Sequence, residues 1–117
     1  MLALITGASS GIGRDMARIL ASKGYDLALV ARKQEGLDKI KAELEKENAN
    51  IKISTYSVDL AIKENLYKLY EDVKDVDILI NNAGFGTFGK FTETDLEKEV
   101  NMINTNVTAV HVLTKLY

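Results

Sequence analysis

The chain has 117 residues, room for one domain at most, with 46% hydrophobic and 27% charged residues, ordinary for a protein that buries a core. A net charge of −2 gives no electrostatic case for nucleic acid or an anionic membrane, and the absence of cysteine excludes disulfides and thiolate chemistry. No apolar run approaches the roughly 18 residues that span a bilayer, and Met1–Ile5 is too short for a signal peptide, so the expectation is a soluble cytoplasmic protein.

Leu2–Ile5 reads as the first strand. Thr6-Gly7-Ala8-Ser9-Ser10-Gly11-Ile12-Gly13 follows and leads into a helix over Gly11–Lys23. Ile12, Met16, Ile19 and Leu20 supply its apolar spacing, and Gly24 is its C-cap candidate. Tyr25–Ala31 is a second apolar run with a single charge, Asp26. Residues 34–47 set Leu37, Ile40 and Leu44 on one face of an amphipathic helix. Ile51–Val58 is a third strand, and Ile62, Leu66, Leu69 and Val73 mark a third helix. Val76–Ile80 is a fourth strand, ending at Asn81. Gly84, Gly86 and Gly89 make the next segment a loop, and Thr94-x-x-Glu97 is a capping-box signature for a last helical stretch.

Alternating strands and helices, with strands apolar on both sides, predict an α/β fold: a doubly wound, Rossmann-like parallel sheet covered by helices on both faces. Right-handed crossovers favour the strand order 3-2-1-4. Such folds run to about six strands. Residues 1–117 are therefore expected to be a dinucleotide-binding domain that is incomplete, stopping before a fifth strand and leaving strand 4 an open edge. The last helix carries Ile103, Val107, Val110, Val112, Leu113 and Leu116, apolar on more than one face. A homo-oligomer or a recruited partner is expected, with Val107, Val110, Leu113 and Leu116 in the interface.

A strand, a glycine turn and a helix in that order build an anion site, because backbone N–H groups can approach a pyrophosphate at the positive end of the helix. A dinucleotide becomes the leading ligand. A second motif, Asn81-Asn82-Ala83-Gly84, stands at the carboxyl end of strand 4, beside the predicted topological switch point. Amide side chains there can tie strands together, and small Ala83 and Gly84 leave room for a ribose. The spacing Gly7-x-x-x-Gly11-x-Gly13, with Thr6 in front and Asn81-Asn82-Ala83-Gly84 later, resembles the short-chain dehydrogenase/reductase family of the classical type, from Met1 to Tyr117.

The resemblance implies an oxidoreductase that moves hydride between NADPH and a small-molecule carbonyl or alcohol. It implies that Gly7, Ser9, Ser10, Gly11, Ile12 and Gly13 line the cofactor's diphosphate and adenosine ribose, with Thr6 bracing the turn. It places Asn81, Ala83 and Gly84 at the cofactor. Asp59-Leu60 matches the adenine pocket, where a carboxylate accepts from the adenine amino group; a helix N-cap is the alternative. Ala31 stands where NAD-binding members carry Asp. Arg32 can clamp a phosphate and Lys33 adds a point charge, which favours NADP over NAD; two solvated charges are the alternative. Asn106, in Asn104-Thr105-Asn106-Val107, resembles the family's catalytic Asn, which helps hold a water in a proton relay to the active-site Lys. A buried helical amide is the alternative there.

In the family the catalytic Ser and the Tyr-x-x-x-Lys pair lie after the helix in which this chain stops. Tyr70-Glu71-Asp72-Val73-Lys74 has that spacing, but it falls on the third helix, before strand 4, and is not expected to be catalytic. His111 has no visible nucleophile or metal partner, and no metal-ligand cluster is present. The rival reading is a non-catalytic nucleotide-binding fragment or partner-binding module, which needs only the residues present.

Overall fold

Short apolar runs bounded by glycine and charge are long enough for strands and too short for helices. They form β1 (Leu2–Thr6) and β2 (Asp26–Ala31) at the centre of a four-stranded sheet. The fold comes from a computed structural model that describes residues 1–117. β3 (Ile53–Ser57) and β4 (Ile78–Ile80) complete an all-parallel sheet in the order 3-2-1-4, as the crossover rule predicts. The register sets Ile5 between Leu29 and Ile80. β4 is an edge of this sheet.

Alternation along the strands divides the core in two. Ala3, Ile5, Leu27 and Leu29 pack under α1 (Gly11–Ser22) and α2 (Gln34–Glu47). Leu4, Ala28 and Val30 pack under α3 (Lys63–Asp72) and α5 (Ala109–Leu116).

α1 does not bury the face its large apolar residues suggested. Gly13, Ala17 and Ala21 are buried, whereas Ile12, Met16 and Ile19 are exposed and Leu20 is half-buried. Small residues at steps of four let this helix lie close against the sheet, a separation that larger side chains would not fit. Gly24, at φ +84°, ends the helix as expected. Tyr25 N–H donates to the Leu20 carbonyl at 3.1 Å and Gly24 N–H to the Ala21 carbonyl at 2.9 Å, a Schellman closure. The Arg18 guanidinium donates to Glu43 at 2.6 Å, linking α1 to α2 and holding the Glu43 carboxyl below the usual carboxylate range.

The last helical stretch is one rod in three parts: α4 (Leu96–Ile103), a π-helical turn (Asn104–Thr108), and α5. Its cap is Asp95, not Thr94. The Asp95 carboxylate accepts from Glu97 N–H at 3.2 Å, while the Thr94 hydroxyl donates to the Glu99 carboxylate. An ionised side chain is the stronger acceptor for a helix-end amide, so the cap sits one residue later than the capping-box spacing suggested. α4 buries none of its residues. Leu96, Val100, Ile103 and Val107 form an exposed apolar stripe.

Leu113 departs from its expected place in an interface, because α5 packs on the sheet beside α3. It is fully buried in the cluster of Leu4, Val30, Leu66 and Leu69. Tyr117 closes that helix pair. Its hydroxyl donates to the Leu69 carbonyl at 3.3 Å and the Val73 carbonyl at 3.1 Å, and its ring meets Tyr70 edge-on at 5.1 Å. Burial pushes the Tyr117 hydroxyl up to about 12. No helix is long and apolar enough to cross a membrane.

Candidate functional site: the cleft at the carboxyl ends of the strands

The glycine turn leaves β1 and is tied to its neighbours on both sides. Thr6, 1% exposed, is the knot. Its hydroxyl oxygen accepts from Asn82 N–H at 3.0 Å and Ala83 N–H at 2.9 Å. Asn82 Nδ2 donates to the Gly7 carbonyl at 3.1 Å, and Ala8 N–H donates to the Val30 carbonyl at 3.2 Å. Thr6 therefore braces the turn, and the asparagine motif ties β4 to β1, as the sequence suggested. Asn81 completes the tie, donating through Nδ2 to the Thr114 hydroxyl of α5 at 3.0 Å.

The glycines are required for two different reasons. Gly7 and Gly11 have left-handed backbones, φ +65° and +55°. Gly13 is instead a matter of contact, since a Cβ there would stand 2.2 Å from the Gly7 carbonyl oxygen and 2.5 Å from Asn82 Nδ2. α1 begins at Gly11 with no side-chain cap and no acid in its first turn. Its leading N–H groups are thus left to an outside acceptor, the arrangement that suits an anion.

The turn forms one wall of a cleft of about 470 Å³, within the range of small-molecule sites. Of the residues singled out in the sequence, Gly7, Ser9, Ser10, Ala31, Arg32, Asp59, Leu60, Ala83 and Gly84 line it. Asp59 is not the cap of α3, which is Ile62. One carboxylate oxygen of Asp59 accepts from Ala61 N–H at 3.0 Å, and the other makes no protein hydrogen bond. The Arg32 guanidinium lies 6.0 Å from the centroid of the Phe85 ring and forms no ion pair.

Gly11, Ile12, Gly13, Lys33, Asn81 and Asn106 do not line the cleft. Ile12 is 68% exposed, and Lys33 is exposed at the N-cap of α2, one residue past Arg32. Asn106 is exposed rather than buried, and it lies in the π-helical turn. Its side chain clamps the loop after β4: Oδ1 accepts from Phe85 N–H at 3.1 Å, and Nδ2 donates to the Phe85 carbonyl at 2.7 Å. Tyr70 stands on the last turn of α3 and Lys74 two residues past its end, so only the tyrosine of the pair falls on the third helix, and neither residue lines the cleft. Lys74 Nζ lies 3.6 Å from the Tyr70 ring centroid, a cation–π contact. His111 is exposed on the outer face of α5.

Some lining residues carried no sequence signal. Lys98, Asn101 and Thr105, on α4 and the turn after it, also line the cleft. Their spacing of three and four was visible, but which face of that helix meets the cleft was not. Gly36 was also missed: a Cβ there would stand 2.9 Å from Ser9 Cβ, so α2 can approach the turn only without a side chain.

The family model described as short chain dehydrogenase matches residues 1–117. The chain belongs to that family. The very-long-chain 3-oxoacyl-CoA reductase of Pyrenophora tritici-repentis is 41% identical over 97% of this chain and 36% of its own length. A short-chain dehydrogenase from Sphingobium yanoikuyae in complex with NADPH superposes with a TM-score of 0.90 at 36% identity, over 98% of this chain and 46% of that one. The bulky-bulky ketone specific alcohol dehydrogenase from Comamonas testosteroni gives a TM-score of 0.92 at 33% identity, over 98% of this chain and 47% of that one. The short-chain dehydrogenase chain thus spans between a third and half of the length of these relatives. Its residues fit a dinucleotide on three counts: close-packed glycines at Gly7 and Gly13, uncapped amides at the start of α1, and an unpaired Arg32 in the same cleft.

Proposed function

We propose that this chain is the cofactor-binding half of an NADP-dependent oxidoreductase acting on a small-molecule carbonyl or alcohol. The observation that carries the reading is one cleft joining the glycine turn, the unpaired Arg32 and Asp59. Gly7, Ser9, Ser10 and the first amides of α1 hold the diphosphate, Asp59 accepts from the adenine amino group, and Arg32 faces the 2′-phosphate. Ala83 and Gly84 leave room for the ribose, the turn keeps its shape because Gly11, Gly13 and Asn82 fix its backbone, and Asn81 ties the end of β4 to α5. When bound, the cofactor supplies the hydride. Asn106 positions the loop at Phe85 beside it. No residue lining the cleft is assigned as the proton donor or as the group that polarises the carbonyl.

Cofactor titration tests the reading. NADPH binds more tightly than NADH, and Arg32→Asp reduces or reverses the preference; equal affinity of the native chain for both overturns the assignment. The chain alone turns over carbonyl substrates at no useful rate, since a general acid contributes about 10²–10⁴-fold. Turnover that Tyr70→Phe abolishes would restore the Tyr70/Lys74 pair as catalytic.

The exposed stripe of Leu96, Val100, Ile103 and Val107 favours a second reading, that α4 docks on a protein partner. A second copy of this chain is the partner proposed.

A further inference from the structure

We propose that Lys98, rather than Lys33, is the second cation that selects the 2′-phosphate. The inference rests on the NADP reading above and names the residue that shares the work with Arg32.

The cleft has three charged lining residues: Arg32 at the end of β2, Asp59 beyond β3, and Lys98 on α4. Arg32 and Lys98 both line this one cleft, and neither belongs to any ion pair of the molecule. An exposed, unpaired cation at a cleft wall keeps its full charge available to an incoming anion, and a charge-assisted hydrogen bond to it is stronger than a neutral one. Two such cations facing one space suit a group of charge near −2, which a phosphate monoester supplies close to neutral pH and a ribose hydroxyl does not. Lys33 follows Arg32 in sequence, yet it is exposed at the start of α2 and absent from the cleft. Sequence adjacency put it beside the phosphate; the lining takes in Ala31 and Arg32 and stops short of Lys33.

Lys98 also sits on a different element from the turn. α4 buries none of its residues, so the Lys98 side chain can reach inward from its wall without disturbing the core. Asn101 and Thr105 continue the same face toward Asn106.

Adenosine 2′,5′-bisphosphate and AMP differ only in the 2′-phosphate and engage only the part of the site this chain contains. Calorimetric titration of the purified chain with each isolates the contribution of that phosphate. The native chain prefers the bisphosphate. Lys98→Gln loses about tenfold of that preference with AMP binding unchanged, Lys98→Arg retains it, and Lys33→Gln behaves as the native chain. The Lys98 contribution also weakens with added salt. A native preference that survives in Lys98→Gln overturns the inference and leaves the NADP reading standing, as does a preference lost in Lys33→Gln instead. A native chain that binds both nucleotides equally overturns the two together. Circular dichroism on Lys98→Gln, an exposed position, checks that the fold is intact.

Discussion

The glycine turn and the final helix meet at the same cleft, yet they are built in opposite ways. At the turn, small residues are packed to contact: Gly13 is buried against the Gly7 carbonyl, and Thr6 holds two backbone N–H groups of the neighbouring strand. Along α4 the large residues Leu96, Val100 and Ile103 are exposed and nothing is buried. Space is the constraint at the turn, where one methyl group is too many. On α4 the large side chains face solvent, and most single changes meet only water. The two regions therefore differ in what a substitution costs and in what it reports.

The sharpest test of that contrast is Gly13→Ala. The new Cβ would stand 2.2 Å from a backbone oxygen, so the turn or α1 must move, at a cost of about 3 kcal/mol or more. Loss of the cooperative thermal transition, together with loss of nucleotide binding, is the expected result. Gly11→Ala has open space and only a left-handed backbone to strain, at about 1 kcal/mol. Equal stability of the two variants would mean that packing does not govern the turn.

Thr6→Val is expected to cost about 1–3 kcal/mol by chemical denaturation. It keeps the shape but leaves the amides of Asn82 and Ala83 without their acceptor. Hydrogen exchange at Ala83 should accelerate with it.

A smaller effect comes from Tyr117. Its folded value of about 12 exceeds the ordinary tyrosine value of 10, chiefly through burial. The protonated hydroxyl donates to the last carbonyls of α3, so its contribution is intact below pH 10 and is lost as pH rises toward 12. Melting midpoints at pH 9 and pH 11 should differ more in the native chain than in Tyr117→Phe.

The smallest change in stability, within about 0.5 kcal/mol, is expected for Val107→Lys on the exposed stripe. The same variant should have the largest effect on assembly. Sedimentation across a dilution series should show self-association in the native chain and a monomer in the variant. A native chain that stays monomeric at every concentration counts against docking through this face.

The division between what was legible in the sequence and what was not follows the same physics. The strands, their order and the turn could be read because glycine spacing and short apolar runs act locally, and crossover handedness does the rest. The buried face of α1 was misread because Ile12, Met16 and Ile19 are more hydrophobic than Gly13, Ala17 and Ala21, while the sheet selects for size. Leu113 was assigned to a partner because a helix apolar on several sides does not say which side meets its own sheet. Lys98 and Gly36 owe their positions to contacts across the fold, between residues far apart in the chain, and no local pattern marks them.

Thr6 and Asn82 fasten the turn to the interior, whereas the Arg32 side chain stands free at the end of its strand with no protein hydrogen bond or ion pair. On the proposed reading, the element that holds the dinucleotide is built into the fold, while the charge that separates one cofactor from another stands on exposed side chains. If Arg32 selects the reductant as proposed, a change of cofactor needs a change at that lip alone and leaves the architecture beneath it untouched.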